Sequence, residues 1–176
     1  MAAFDELDWQ RIDVWAIAED DGLATIFEQS RPFYRDWLER NGYEIDSLDF
    51  RPGLGKAITE LGRMLRWEEQ FGYALKADSR NLDALRDGFE FEIPEGGGRV
   101  LEILGADLAW QEDSYWTLGL LSIAREYSRW QMALGQRFFT LLVLPEGSSL
   151  IGVEVEKTIV PLPFSRIRRD PDEFAG

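Results

Sequence analysis

Cysteine and histidine are both missing from this 176-residue chain. Without cysteine there is no disulfide framework, no thiol nucleophile and no zinc-thiolate site. Without histidine the Ser-His-Asp and Cys-His arrangements are excluded, with most zinc chemistry and the usual neutral-pH base. Positive charge is scarce: 19 Lys and Arg stand against 33 Asp and Glu, a formal net charge of −14. Such a field disfavours nucleic acid and anionic membrane as direct partners, and it steers basic ones. No apolar run is long enough for a membrane span, and "MAAFDELDWQ" lacks the basic and apolar regions of a signal peptide. A cytoplasmic chain is therefore expected.

What remains is a globular composition, 45% hydrophobic and 13% aromatic, with seven tryptophans. The length suits one ordinary domain with a real core. "RIDVWAIAEDDGLATIF" (11–27) reads as two short strands around an Asp21-Gly22 turn. "SRPFYRDWLERNG" predicts a helix with Ser30 as its N-cap, a first-turn proline and an Asn41-Gly42 stop. "YEIDSLDF" (43–50) alternates as a strand does. After Pro52-Gly53, Leu54, Ile58, Leu61 and Leu65 fall on one face of a helix running through "LGKAITELGRMLRWEEQFG". A short helix capped by Ser79 and ended by Gly88 comes next, then the connector "EIPEGGG" and the strand "RVLEILG" (99–105). The longest element spans 113–135, where Trp116, Leu120, Ile123, Tyr127, Trp130 and Leu134 recur as a helical core stripe. "RFFTLLVL" (137–144) is apolar throughout, as suits a central strand buried on both faces. From residue 43 to 144 strands and helices alternate, which predicts an α/β fold on a small parallel sheet. The proline-containing tail after 147 is expected to hold one strand near 152–160 and the basic cluster "RIRRD" (166–170), read as a solvated tail or a source of ion-pair partners.

The glycine run in "EGGGRVLEI" precedes a strand, whereas phosphate-cradling loops follow one and open a helix, so it reads as a connector. The acids are more informative. Asp78, Asp83, Asp87, Glu90, Glu92 and Glu95 crowd around the short helix against only Arg80 and Arg86. Asp83 and Asp87 share a face and repel by a few tenths of a kcal/mol, with Asp87 at the negative end of the helix dipole. A solvated acidic face, a magnesium site, a general acid-base pair and a docking surface for arginines and lysines all fit this pattern. The docking reading explains the repulsion best, because arriving cations relieve it. The first fifty residues also carry thirteen acids and four bases, so the N-terminal part can belong to the same acidic surface.

"NLDALRD" (81–87) resembles the short second helix of the barstar family of ribonuclease inhibitors, and "SIAREYSRW" (122–130) is similar to the family's last helix. The resemblance implies a three-layer domain over 43–146, with a three-stranded parallel sheet and packed helices. Residues 1–42 would be a hairpin-plus-helix extension packed on that core, and 147–176 a tail. It implies an intracellular inhibitor or immunity protein that occludes the basic active site of a toxin enzyme, a secreted or delivered ribonuclease, with no catalysis, cofactor or metal of its own. By position, Asn81 and Leu82 would begin the binding surface. Asp83 and Asp87 would be its charged anchors, Arg86 would stand where the family has an aromatic, and Glu126 would be a supporting rim acid; Glu90 of the acidic cluster is counted with the same partner-binding surface. A non-inhibitory acidic module regulating a host enzyme is the alternative, with a carboxylate-metal hydrolase behind it.

Overall fold

A strand that is apolar on every side needs cover on both faces, and the sheet is built to provide it. The computed structural model describes residues 4, 8, 11–76, 82–155 and 158–160. The strands β1 (Leu23–Phe27), β2 (Tyr43–Asp49), β3 (Gly98–Leu104) and β4 (Arg137–Leu144) form one parallel sheet in the order β1-β4-β3-β2. Seven α-helical elements are described: α1 (Ile12–Val14), α2 (Arg31–Arg40), α3 (Leu54–Met64), α4 (Trp67–Phe71), α5 (Leu82–Gly88), α6 (Ala106–Glu112) and α7 (Ser114–Ala133). Alternate side chains of β4 serve two cores. Phe138, Leu142 and Leu144 pack with residues of α3 to α7. Phe139, Leu141 and Val143 pack with Ala16, Ile17, Trp37 and Leu38. Helices therefore cover both faces of the sheet.

The sheet has four strands where three were expected, because β1 pairs in register with β4, from Leu23 opposite Thr140 to Phe27 opposite Leu144. The expected N-terminal hairpin is also corrected. Its first arm is helical, α1 continuing as a π-helical turn over Trp15–Glu19, and only the second arm is a strand. Val14 and Ile17, three apart, are both buried there. The Asp21-Gly22 turn survives as a helix-to-strand turn with φ of 57° and 80°. A Cβ on Gly22 would lie 2.1 Å from Ser128 Oγ of α7, so glycine is required both for conformation and for close approach.

Four further differences concern the helices. The helix predicted after Pro52-Gly53 breaks at Arg66, which takes a left-handed conformation, and the break turns Trp67 into the core. Ser30 makes no capping hydrogen bond, because α2 is entered from a 3-10 turn over Glu28–Ser30. α6 precedes α7, which is capped by Asp113 accepting from the Trp116 amide at 3.0 Å. The core stripe of α7 does not reach its end. Trp130 and Leu134 are exposed while Ser128 and Gln131 are buried, since Ser128 faces the Gly22 turn. In the C-terminal part, β5 (Glu154–Val155) and β6 (Thr158–Ile159) form a short antiparallel pair. The Ser79 cap and the "RIRRD" cluster lie outside the described residues.

Charges hold the α2 face to the sheet. Glu102 of β3 is fully buried and accepts from Arg31 Nε and Nη2 at 2.8 Å each, from Arg35 Nη1 at 2.8 Å and from Ser47 Oγ at 2.6 Å. Burial alone would raise the pKa of this carboxyl. The hydrogen bonds from Arg31 and Ser47 and the charges of Arg31 and Arg35 outweigh it and hold the pKa below the ordinary glutamate value. Glu102→Gln should cost about 3 kcal/mol at neutral pH, near the lower end for breaking a buried pair because both arginines are part-exposed and can rehydrate. A depressed folded pKa gives stability that is present above the ordinary value of 4.5 and lost as pH falls through the folded one. The wild-type and Glu102→Gln denaturation curves, measured against pH, should therefore converge at acid pH.

Candidate functional site

α5 is seven residues long, too short to be stable alone in water, so its position is set by what it packs on. Leu85 and Phe89 are buried in the larger core. At one end Leu82 lies over Gly119 of α7, where an added Cβ would stand 2.3 Å from Leu82 Cδ1. At the other end a Cβ on Gly88 would meet Phe71 Cε2 at 2.6 Å and Trp67 Cζ3 at 2.8 Å. Gly88 was expected as a stop signal, yet it is the last residue of the helix and its role is contact with the α4 aromatics. Gln70 Nε2 donates to the Gly88 carbonyl at 3.3 Å. Beyond the helix, the Tyr127 hydroxyl accepts from the Phe91 amide at 3.0 Å and donates to the Phe91 carbonyl at 3.1 Å, which ties the exit segment to α7.

This seat buries one side of α5 and leaves its acids in water. The Asp83 side chain is 95% exposed, and Asp87, Glu90, Glu92 and Glu95 are exposed too. Arg86 is half exposed and occupied: its Nε donates to Glu126 Oε2 at 2.9 Å, and its Nη1 lies 3.9 Å from Asp83. The expected rim acid Glu126 thus bridges α7 to α5 and pairs with Arg86, the one cation among the described residues 82–95. Among the described residues no cation stands within ion-pairing distance of Asp87 or Glu90. Asn81 lies outside the described residues.

Two grooves flank the helix. One of about 670 Å³ runs along α7 between Phe89, Glu126, Tyr127 and Trp130. The other, about 400 Å³, lies between Leu82, Asp83, Gly119, Ser122 and Glu154. Arg86 lines both and separates them. The structure therefore brings Leu82, Asp83, Arg86 and Glu126 together, while Asp87 and Glu90 line neither groove. The sequence reading missed Glu154, which approaches from β5. Its only local signal is an acid beside a short apolar run, too common to single out. Arg125, buried in α7, fixes that strand by pairing with Asp21 at 3.0 Å and donating to the Val155 carbonyl at 2.5 Å.

Among the described residues no group of three or more His, Cys, Asp or Glu side chains could hold a metal ion, and no helix is long and apolar enough to cross a membrane. The arrangement offers carboxylates in water beside two grooves lined by charged and apolar side chains together, and the exposed acids suit guanidinium and ammonium groups. No protein-family model, no curated protein and no solved structure matches this chain.

Gly88→Ala tests the seat. An alanine gains up to about 1 kcal/mol in helix propensity but drives a methyl into two packed rings, so a net loss of about 1–3 kcal/mol is expected in denaturant unfolding. Unchanged or increased stability would show that α5 is not held against α4.

Proposed function

We propose that this protein is an intracellular inhibitor or immunity protein, and that the α5 surface occludes the basic active site of a toxin enzyme, a ribonuclease. The observation that carries the reading is a division of labour on α5. Its apolar side, Gly88 and the facing Gly119 of α7 hold it in place, whereas Asp83 and Asp87, and Glu90 just beyond the helix, project into solvent. Carboxylates fixed in advance lose little conformational freedom on binding, which favours affinity. The resemblance of "NLDALRD" and "SIAREYSRW" to the barstar family supports the same reading from sequence. The mechanism is occlusion. Acids fill the site that holds RNA phosphates, and no bond is made or broken.

One observation favours a second reading, an acidic module that binds a basic host enzyme without blocking it. Arg86 replaces the aromatic of the resembled helix, and its pairing with Glu126 divides the surface into two grooves.

Inhibition of RNA hydrolysis by a basic, barnase-type ribonuclease, or by a small basic nuclease encoded beside this chain, tests the proposal. Added protein should suppress hydrolysis, and Asp87→Ala should weaken the inhibition by about 2 kcal/mol, roughly thirtyfold, if it is an anchor. The association rate should fall steeply as the Debye length shrinks from about 30 to 8 Å. Arg86→Trp should leave inhibition unchanged or tighten it for a barnase-type target. Binding without any loss of hydrolysis would favour the host-enzyme reading.

A further inference from the structure

Trp67 is 1% exposed, yet its indole Nε1 has no hydrogen-bond partner among the described residues. A hydroxyl can rotate to find an acceptor, but an indole N–H is fixed by its ring and can only donate. A buried donor left without an acceptor is costly to a fold, so its position needs a physical reason. The benzo edge of this ring faces α5, because a Cβ on Gly88 would meet Trp67 Cζ3 at 2.8 Å. Nε1 belongs to the opposite edge of the indole and therefore points away from α5.

Trp67 also lines a cavity of about 560 Å³ between α3 and α4, and neither Gly88 nor Phe71 takes part in it. Small-molecule sites span roughly 300–1,000 Å³. The buried members of the lining, Gly62, Trp67 and Leu75, form its base, which is apolar apart from the indole N–H. α3 and the segment after α4 close that base tightly, since a Cβ on Gly62 would lie 2.8 Å from Leu75 Cβ. The exposed members form a charged rim, Arg63 and Arg66 with Glu68 and Glu69. Both arginines hold only pairs close in sequence, Arg63 Nη1 with Glu60 at 2.8 Å and Arg66 Nε with Glu69 at 2.9 Å. Exposed pairs of this kind are worth little, and each guanidinium has further N–H groups to donate.

A carboxylate is the acceptor that best suits an N–H beside guanidinium groups. An anion alone would leave the apolar base in water, whereas an attached hydrocarbon body covers it. We infer that this cavity binds a small organic acid, an apolar body ending in a carboxylate. The carboxylate accepts from Trp67 Nε1 and from the Arg63 and Arg66 guanidinium groups, and the body lies on Leu75 and the indole ring. No bond is made or broken. The site is independent of the acidic surface of α5, although one ring serves both, its other edge seating Gly88.

The indole N–H signals of the seven tryptophans test this in the full-length, isotopically labelled protein. Titrated with 4-phenylbutyrate, the Trp67 signal should move downfield and saturate while the other indole signals hardly move. A ligand of about a dozen heavy atoms should show a dissociation constant on the order of 1 mM. Acetate, which lacks the apolar body, and 4-phenylbutyramide, which lacks the charge, should each bind roughly fivefold more weakly or worse. Arg63→Gln, at an exposed position that leaves the left-handed Arg66 in place, should weaken phenylbutyrate about threefold, and Arg40→Gln on α2 should not change it. The inference is overturned by the lack of a saturable shift at Trp67, or by a shift that the other indoles share equally. Equal affinity for either analogue, or unchanged affinity in Arg63→Gln, overturns it as well.

Discussion

A helix of seven residues cannot hold itself together in water, so the acidic surface depends on how α5 is seated. Two close approaches fix the seat, Leu82 over Gly119 and Gly88 against Trp67 and Phe71. Both need a residue without a side chain, and each lies on a different neighbour. The break at Arg66 serves the same end, since it sets the α4 aromatics where Gly88 meets them. Once the backbone is clamped in this way, the solvent side of α5 can carry like charges four residues apart.

Acids elsewhere do structural work. Glu102 is enclosed by Arg31, Arg35 and Ser47 and joins α2 to β2 and β3. Asp13 is fully buried, accepting from Arg11 at 2.7 Å and from the Tyr43 hydroxyl, whose pKa is pushed well up by burial and by the Asp13 charge. Asp21 holds Arg125 and Arg129 at the β1 turn. A buried charge must be matched, and much of the small arginine supply is spent on these positions. The exposed acids of 83–95 are consequently left with little internal compensation, and Arg86 is the described exception.

Much of this was legible in the sequence where periodicity and burial coincide. The run of β4, the stripe of α3 and the first half of α7 follow directly from residue spacing. So does the α5 helix, whose charged positions are outside because its leucines must be inside. The first arm of 11–27 was illegible because Ile12, Val14, Ala16 and Ala18 alternate like a strand, while Val14 and Ile17 also suit a helix. The need to cover the α2 face of a parallel sheet decides between them. Glu102 was hidden inside an apolar strand, for its partners are more than fifty residues away in sequence. The exposed Trp130 reflects a contact between Ser128 and Gly22 that no local pattern encodes. The second groove was equally hidden, because one of its walls comes from β5.

The central claim is that the acids of α5 are placed for binding and contribute nothing to the fold. The thermal midpoint of the Asp83→Ala/Asp87→Ala double variant measures that claim with no partner required. Removing two repelling charges from one helical face should leave the midpoint unchanged or raise it slightly, by an effect worth a few tenths of a kcal/mol. A midpoint several degrees lower, equivalent to a loss of about 1 kcal/mol or more, would show that the carboxylates hold the structure together and would contradict the account.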